Sequence, residues 1–167
     1  MPLSVCARMM GMESSAPFVS LRNIAMKRIL ALLLLSASIS AWAQSDVLKA
    51  AAKEPGAAVT DSGLVYRSLQ EGKGTSPSAS DSVKVHYKGM FPDGREFDSS
   101  YSRNEPAEFR LNRVIKCWTE GVQKMKVGGK AKLTCPPGIA YGERGAGGVI
   151  PPNAVLVFEV ELLDVRR

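Results

Sequence analysis

The stretch that decides the fold reads Arg113-Val-Ile-Lys-Cys-Trp-Thr-Glu-Gly-Val-Gln-Lys-Met125. Its apolar residues recur at helical spacing, so they share one face of a short helix. The opposite face is polar, and the helix is therefore predicted to lie on an apolar surface with its other side in water. Val127-Gly128-Gly129 is predicted to end it, with glycine in the left-handed cap. The apolar face consists of Val114, Ile115, Trp118, Val122 and Met125.

The segments on both sides of this helix alternate between apolar and polar residues, as β-strands do. Pro92-Asp93-Gly94 is typical of a tight turn between two of them. The pattern predicts an α+β fold in which an antiparallel sheet of five or six strands wraps around one short helix. The predicted strands cover residues 64–69, 83–91, 95–98, 108–111, 130–135 and 155–163.

The first quarter of the chain has the pattern of an export signal. Met26-Lys-Arg28 supplies positive charge, residues 29–35 are apolar, and Ala41-Trp-Ala43 is a small-residue cleavage site. We therefore predict a signal peptide over residues 26–43 and a protein located in the periplasm or secreted. An uncleaved anchor is the alternative, although the apolar run is too short for a membrane span.

The signal pattern also divides the rest of the chain. Residues 1–25 are interpreted as an N-terminal extension from a mis-called start, because Met26 already begins the signal. Residues 44–60 are predicted to be a short linker or frayed helix, and residues 61–167 a single domain. Lys and Arg number 22 against 16 Asp and Glu. No basic stripe with interleaved aromatics is present, so nucleic acid is not an expected partner.

Two cysteines, Cys117 and Cys135, would remain after signal cleavage. An oxidising compartment favours a disulfide between them, and two small buried thiols are the alternative. His86 is the one histidine, and no cluster of His, Cys and carboxylates accompanies it. We therefore expect neither a metal site nor another cofactor, and we expect His86 to be structural.

Aromatic residues come from several separate elements, and one of them lies in an unusual place. Residues 139–152 form a Gly-rich loop without helix or strand periodicity, and a loop of this length is usually functional. This loop carries Tyr141. Core packing is one interpretation of the aromatic set, and an apolar binding pocket is the other. The set consists of Tyr87, Phe97, Phe109, Trp118, Tyr141 and Phe158.

Five blocks of the chain, in order, resemble the FKBP family of peptidyl-prolyl cis-trans isomerases. They are Val85-His-Tyr-Lys-Gly-Met90, Gly94-Arg-Glu-Phe-Asp-Ser-Ser100, Val114 to Gly121, Ala140-Tyr-Gly142, and Ile150-Pro-Pro-Asn-Ala154 leading to Leu162. The resemblance runs from about Thr60 to Val165. It implies a half-barrel sheet around one helix and a rotamase acting on X-Pro bonds of exported proteins, without a cofactor.

The resemblance also implies roles for individual residues. Trp118 would form the floor of a pocket for the proline ring, with Asp98 and Arg103 beside it. The N–H of Ile115 and the hydroxyl of Tyr141 would bond the ligand. The implied catalytic residues are Tyr87, Phe97, Asp98, Tyr141 and Phe158. The implied substrate-binding residues are Arg103, Phe109, Val114, Ile115, Trp118, Val149 and Ile150, the last two from the loop that closes over the pocket.

The implied partners are proline-containing clients, unfolded or partly folded, and macrolide inhibitors such as rapamycin. An FKBP-like chaperone or binding module with little turnover is the alternative function. An adhesion or structural β-domain is a third reading, but such a domain would not need a Tyr in a Gly-rich loop beside an aromatic pocket.

Overall fold

The computed structural model describes residues 45–167, so the predicted signal peptide and the extension before it lie outside the described residues. Two helices are present in the described part, α1 over residues 45–52 and α2 over Lys116–Gln123. None of the helices in residues 45–167 is both long and apolar enough to span a membrane. The strands are β1 Ala57–Val59, β2 Val65–Gln70, β3 Ser82–Met90, β4 Glu96–Ser99, β5 Ala107–Arg110, β6 Lys130–Cys135 and β7 Leu156–Arg166.

All seven strands belong to one antiparallel sheet with the order β1-β2-β6-β7-β3-β4, and β5 also pairs with β3. One edge of β3 is bonded along its whole length to β7. The other edge is divided, with β5 pairing residues 82–85 and β4 pairing residues 88–90. The division leaves residues 86 and 87 of β3 without a strand partner on this edge.

The predicted alternation of β3 is confirmed, because Val83, Val85 and Tyr87 are buried and the residues between them are not. Strand β7 alternates only from Phe158 onward, since Val157 is buried as well, but its predicted inward-facing residues are all buried. They are Leu156, Phe158, Val160 and Leu162.

Helix α2 lies across the concave side of the sheet, as its apolar face predicts. Trp118 and Val122 are buried. Gly121 lets the helix approach β6 closely, because a Cβ at this position would lie 2.8 Å from the side chain of Leu133. A larger residue at 121 would require the Leu133 side chain or the helix to shift.

The predicted end of this helix is wrong. Helix α2 ends at Gln123 rather than at residues 127–129. Beyond the helix the backbone forms hydrogen bonds with distant segments of the chain. The N–H of Val127 donates to the carbonyl of Thr75, and the N–H of Gly128 donates to the carbonyl of Leu162. These tertiary bonds compete with continuation of the helix. The positive φ of Gly128, +84°, therefore belongs to the turn that leads into β6.

A disulfide links Cys117 of α2 to Cys135 at the end of β6, with Cα atoms 5.8 Å apart. Both residues are fully buried. The bond therefore ties the helix to the sheet directly beside Trp118, at the point where the helix begins.

The segment before residue 61 contains more structure than a linker. Ala51 of α1 is buried, and the carboxylate of Glu54 accepts hydrogen bonds from Lys132 at 2.7 Å and Arg67 at 2.6 Å. The hydrogen bond from Lys132 is the main reason that the pKa of Glu54 lies below its ordinary value. Strand β1 then pairs with β2. The sheet accordingly has seven strands instead of five or six, while the α+β class and the antiparallel wrapping are confirmed.

Candidate active site

A cleft of about 350 Å³ opens between the start of α2, the divided edge of β3 and the loop after β6. Nine of its ten lining residues are ones that the sequence predicted for the site. The tenth is Arg113, which was not among the predicted site residues. The lining residues are Tyr87, Phe97, Asp98, Phe109, Arg113, Val114, Ile115, Trp118, Tyr141 and Phe158.

The floor of the cleft is the indole ring of Trp118, which is almost completely buried. Three rings meet it edge-on. Their centroids lie 5.3 Å away for Tyr87, 5.5 Å for Phe109 and 5.5 Å for Phe158, with interplanar angles of 83° to 90°. Edge-to-face contacts at these distances are favourable because the positive edge of one ring faces the negative face of another. The rings thus fix each other and form an apolar floor and wall.

The ring of Phe97 completes the wall because it packs over a glycine of β3, Gly89. Residue Gly89 pairs with Asp98 in the ladder, and a Cβ at position 89 would lie 2.7 Å from the ring of Phe97 and 3.1 Å from that of Phe158. Phe97 and Phe158 pack edge-to-face with centroids 5.7 Å apart. The absence of a side chain at Gly89 therefore places both rings at the cleft.

The polar side of the cleft is a network of three side chains. Arg103 donates from Nη1 to Oδ1 of Asp98 at 2.5 Å and from Nη2 to the hydroxyl oxygen of Tyr87 at 2.9 Å. The hydroxyl of Tyr87 in turn donates to Oδ2 of Asp98. Both carboxylate oxygens are therefore engaged, and Arg103 holds its position although it is not itself among the lining residues.

This network determines the charge state of the cleft. Partial burial raises the pKa of Asp98, but the hydrogen bonds from Tyr87 and Arg103 outweigh it, and the pKa lies below its ordinary value. Burial, followed by the hydrogen bond to Asp98, raises the pKa of Tyr87. The hydrogen bond to Asp98 raises the pKa of Arg103. At neutral pH the cleft thus presents an ionised Asp98, a neutral Tyr87 and a cationic Arg103.

Ser100 supports this network by bonding to the backbone of Tyr87. It was not among the predicted site residues. It fills the gap in the β3 ladder: its backbone N–H donates to the carbonyl of Tyr87 at 3.0 Å, and its hydroxyl oxygen accepts from the N–H of Tyr87 at 2.8 Å. His86 Nδ1 lies 3.0 Å from the same hydroxyl. His86 also stacks on Tyr101, which supports the structural role expected for it. No sequence signal distinguishes this fully buried serine from the loop residues around it.

Two hydrogen-bond donors at the cleft lack an acceptor within residues 45–167. The carbonyl of Ile115 accepts from Trp118 and Thr119 at the start of α2, but its N–H donates to no described residue. The hydroxyl of Tyr141 has no partner in the same part of the chain, and this side chain is 38% exposed. Both donors are available to a ligand in the cleft.

The loop after β6 contributes less than the sequence suggested. It contains two short 3₁₀ turns, Pro137–Ile139 and Gly142–Arg144, and Ala146 pairs with Ile150. Tyr141 lines the cleft. Ile150 instead packs into the core, and Val149 is 59% exposed at the tip of the loop. The structure therefore does not bring Val149 or Ile150 into contact with the cleft.

The fold and the cleft together define a class of protein: an antiparallel half-barrel around one helix, with a small aromatic cleft whose rim carries a buttressed Asp–Arg pair. Residues 73–163 match the family model described as FKBP-type peptidyl-prolyl cis-trans isomerase. The chain belongs to this family.

Individual relatives agree with this assignment. The FKBP-type peptidyl-prolyl cis-trans isomerase FkpA of Escherichia coli K12 is 56% identical over 115 residues, 69% of this chain and 42% of that protein. FK506-binding protein 1 of Dictyostelium discoideum is 53% identical over 106 residues, 62% of this chain and 99% of that protein. The crystal structure of FkpA from Escherichia coli superposes with a TM-score of 0.73 at 42% identity, covering 89% of this chain and 74% of that one. The chain thus spans less than half the length of the curated FkpA.

Proposed function

We propose that this protein catalyses cis/trans isomerisation of X-Pro bonds in exported polypeptides and so assists their folding. The observation that carries the proposal is the cleft itself, an apolar aromatic floor and wall with a fixed ion pair at the rim. Family membership supports the same activity.

The chemistry of the amide explains how such a cleft would act. Rotation about the C–N bond faces a barrier of about 18–20 kcal/mol because the bond has partial double-bond character. Water stabilises the planar, charge-separated amide through its carbonyl oxygen. A cleft that removes this water weakens the planar form relative to the twisted one, whose carbonyl carries less charge. No bond is broken, so neither a nucleophile nor a general base is needed.

The residues of the cleft fit the separate parts of this mechanism. The rings of Trp118, Phe97 and Phe158 would enclose the proline ring and exclude water. The free N–H of Ile115 and the hydroxyl of Tyr141 would hold the backbone on either side of the rotating bond. The Asp98 carboxylate, fixed by its two hydrogen bonds, would set the electrostatic field beside the amide. We assign Arg103 a positioning role, because it acts through Asp98 and Tyr87.

Export to the periplasm, or secretion, is part of the proposal. It is supported by the signal-like pattern of residues 26–43 and by the buried disulfide, since disulfides persist in oxidising compartments. Detection of the protein in the periplasmic or culture fraction with its N-terminus at Gln44 is the expected result. A cytoplasmic protein that still begins before residue 43 would contradict export.

The test that separates an enzyme from a binding module is a protease-coupled assay on a short X-Pro peptide. Micromolar purified protein is expected to raise the rate of conversion from cis to trans above the thermal rate, which corresponds to tens to hundreds of seconds at 25 °C. Binding of the peptide without acceleration would favour the FKBP-like chaperone or binding module. A protein that neither binds the peptide nor accelerates its isomerisation would contradict both functions.

Rapamycin is expected to inhibit the reaction by occupying the cleft. The name of the Dictyostelium relative, FK506-binding protein 1, supports macrolide binding by this kind of site. Calorimetric titration should give one site per chain, and the isomerase rate should fall in parallel with its occupancy. Phe97→Ala, which removes part of the wall, should weaken binding. Saturating rapamycin with an unchanged catalysed rate would show that the cleft is not the site of the reaction.

A further inference from the structure

Arg113 lines the cleft without a role in the mechanism above. It is exposed, and it is the last residue of a short 3₁₀ turn, Leu111–Arg113. Within residues 45–167 its guanidinium has no hydrogen bond, ion pair or ring contact. A guanidinium carries five donors and a permanent charge, and it binds carboxylates in a bidentate manner. This one is therefore free to bind a group brought by the ligand.

The turn that carries Arg113 is held rigidly. Leu111 is fully buried, and its N–H donates to the carbonyl of Asp81 at 3.0 Å. Its carbonyl accepts from the hydroxyl of Thr119 on α2 at 2.6 Å. The backbone at residue 113 is thereby tied to the helix that supplies the floor of the cleft. The long side chain of Arg113 can therefore move at the rim while its backbone stays in place.

The charges around the cleft leave an excess of positive charge on this side. The charge of Arg103 is matched by Asp98, with which it forms an ion pair. The first turn of α2 contains no acidic residue and begins with Lys116, so the partial positive charge of the helix N-terminus is not compensated there. Glu120, one turn further, is bonded to Ser62. Of these positive groups, Arg113 is the one that lines the cleft without a partner in the described part of the chain.

We propose that Arg113 is a specificity-determining residue that favours clients with a carboxylate side chain next to the proline. This inference rests on the proposed isomerase function and names the class of substrate. Arg113 would bind the carboxylate of a Glu or Asp adjacent to the X-Pro bond, while the aromatic rings enclose the proline. The expected gain is about three- to tenfold over an uncharged residue of the same shape, because the pair forms at a partly exposed rim.

The test compares capped peptides Ala-X-Pro-Z-Ala that carry either Glu or Gln at X, or either Glu or Gln at Z, by NMR exchange between the cis and trans signals. Glu and Gln have the same shape, so the ratio of their kcat/KM values isolates the charge. In Arg113→Gln this Glu/Gln ratio is expected to fall about three- to tenfold at X or at Z, and further in Arg113→Glu. Raising the salt concentration should lower the ratio in the wild type but not in Arg113→Gln.

Arg110→Gln is the matched control. Arg110 is the last residue of β5, three residues before Arg113, and it is exposed. Its guanidinium has no partner in the described part of the chain, and it does not line the cleft. The Glu/Gln ratio of this variant should equal that of the wild type. Arg110→Gln should also turn over the Gln peptides at the rate of the wild type, because Arg110 does not line the cleft.

The outcomes separate this inference from the proposed function. Turnover of the Gln peptides with the same Glu/Gln ratio in wild type and Arg113→Gln at both positions overturns the inference alone. A fall of equal size in Arg110→Gln overturns it as well, because the effect would then come from net charge. If no peptide is turned over, the proposed function fails, and the Glu/Gln ratio of dissociation constants from NMR titration still decides the role of Arg113.

Discussion

Replacing Asp98 with leucine is expected to lower kcat/KM for an X-Pro peptide by about 10- to 100-fold, because hydrogen bonds to a charged group contribute roughly 1.5–3 kcal/mol. The carboxylate accepts from both Tyr87 and Arg103. Its loss would free the Tyr87 hydroxyl, release Arg103 from the rim and remove the negative charge beside the amide. The thermal midpoint should change much less than the activity, because the Asp98 side chain is 43% exposed.

Asp93→Leu is a suitable control for this prediction. Asp93 also pairs with an arginine, Arg95, at 2.8 Å, but it lies in the turn before β4 and does not line the aromatic cleft. This variant should keep the turnover of the wild type. Full activity in Asp98→Leu, with an unchanged melting temperature, would show that the active site lies elsewhere on the molecule.

Reduction of the disulfide is the second change with a large expected effect. Cys117 and Cys135 are 18 residues apart in sequence, and a loop of this size should contribute roughly 3 kcal/mol to the free energy of unfolding, mainly by restricting the unfolded chain. Urea unfolding with and without a reductant measures this difference in free energy. Reduction breaks only the S–S bond and, unlike replacement of a cysteine, removes no atom from the core. We expect the thermal midpoint to fall by roughly 10 °C on reduction.

Alkylation distinguishes the bonded state from two free buried thiols. In the exported protein, unfolded without a reductant, peptide mapping should find Cys117 and Cys135 unmodified by the alkylating reagent. After reduction both should be modified. Modification of both residues before reduction, together with a urea midpoint that does not depend on the reductant, would contradict the disulfide.

The parts of the fold that the sequence predicted are those in which burial follows a local period. Strand β3 alternates along its whole length, and its buried residues could be assigned one by one. The start of α2 is equally clear, because Trp118 and Val122 repeat at helical spacing. In these elements the pattern along the chain and the packing in three dimensions carry the same information.

Other features of the fold depend on contacts between distant segments, and no local sequence pattern predicts them. Strand β1 consists of Ala57, Ala58 and Val59, which are too few to show alternation, and it exists because β2 offers a free edge. The end of α2 depends on bonds to Thr75 and Leu162. A sequence pattern could not supply either partner.

The candidate site likewise contains residues that the sequence predicted and residues whose roles depend on tertiary contacts. The aromatic set and the loop with Tyr141 stood out from the sequence, and the resemblance implied a role for each of the six aromatic residues. Ser100 acts through a gap in the β3 ladder that only the strand pairing creates. Arg113 could have been suspected, since it directly precedes two predicted lining residues, Val114 and Ile115. That its guanidinium has no partner within residues 45–167 could be learned only from the structure.

Two-dimensional NMR exchange spectroscopy of an X-Pro peptide at equilibrium tests the central claim most directly, since it needs no protease and reports on rotation itself. With the protein at a small fraction of the peptide concentration, exchange cross-peaks between the cis and trans signals should grow within seconds. Adding one equivalent of rapamycin per protein should abolish them. Cross-peaks that grow only at the thermal rate, or that persist when rapamycin fills the cleft, would contradict the account.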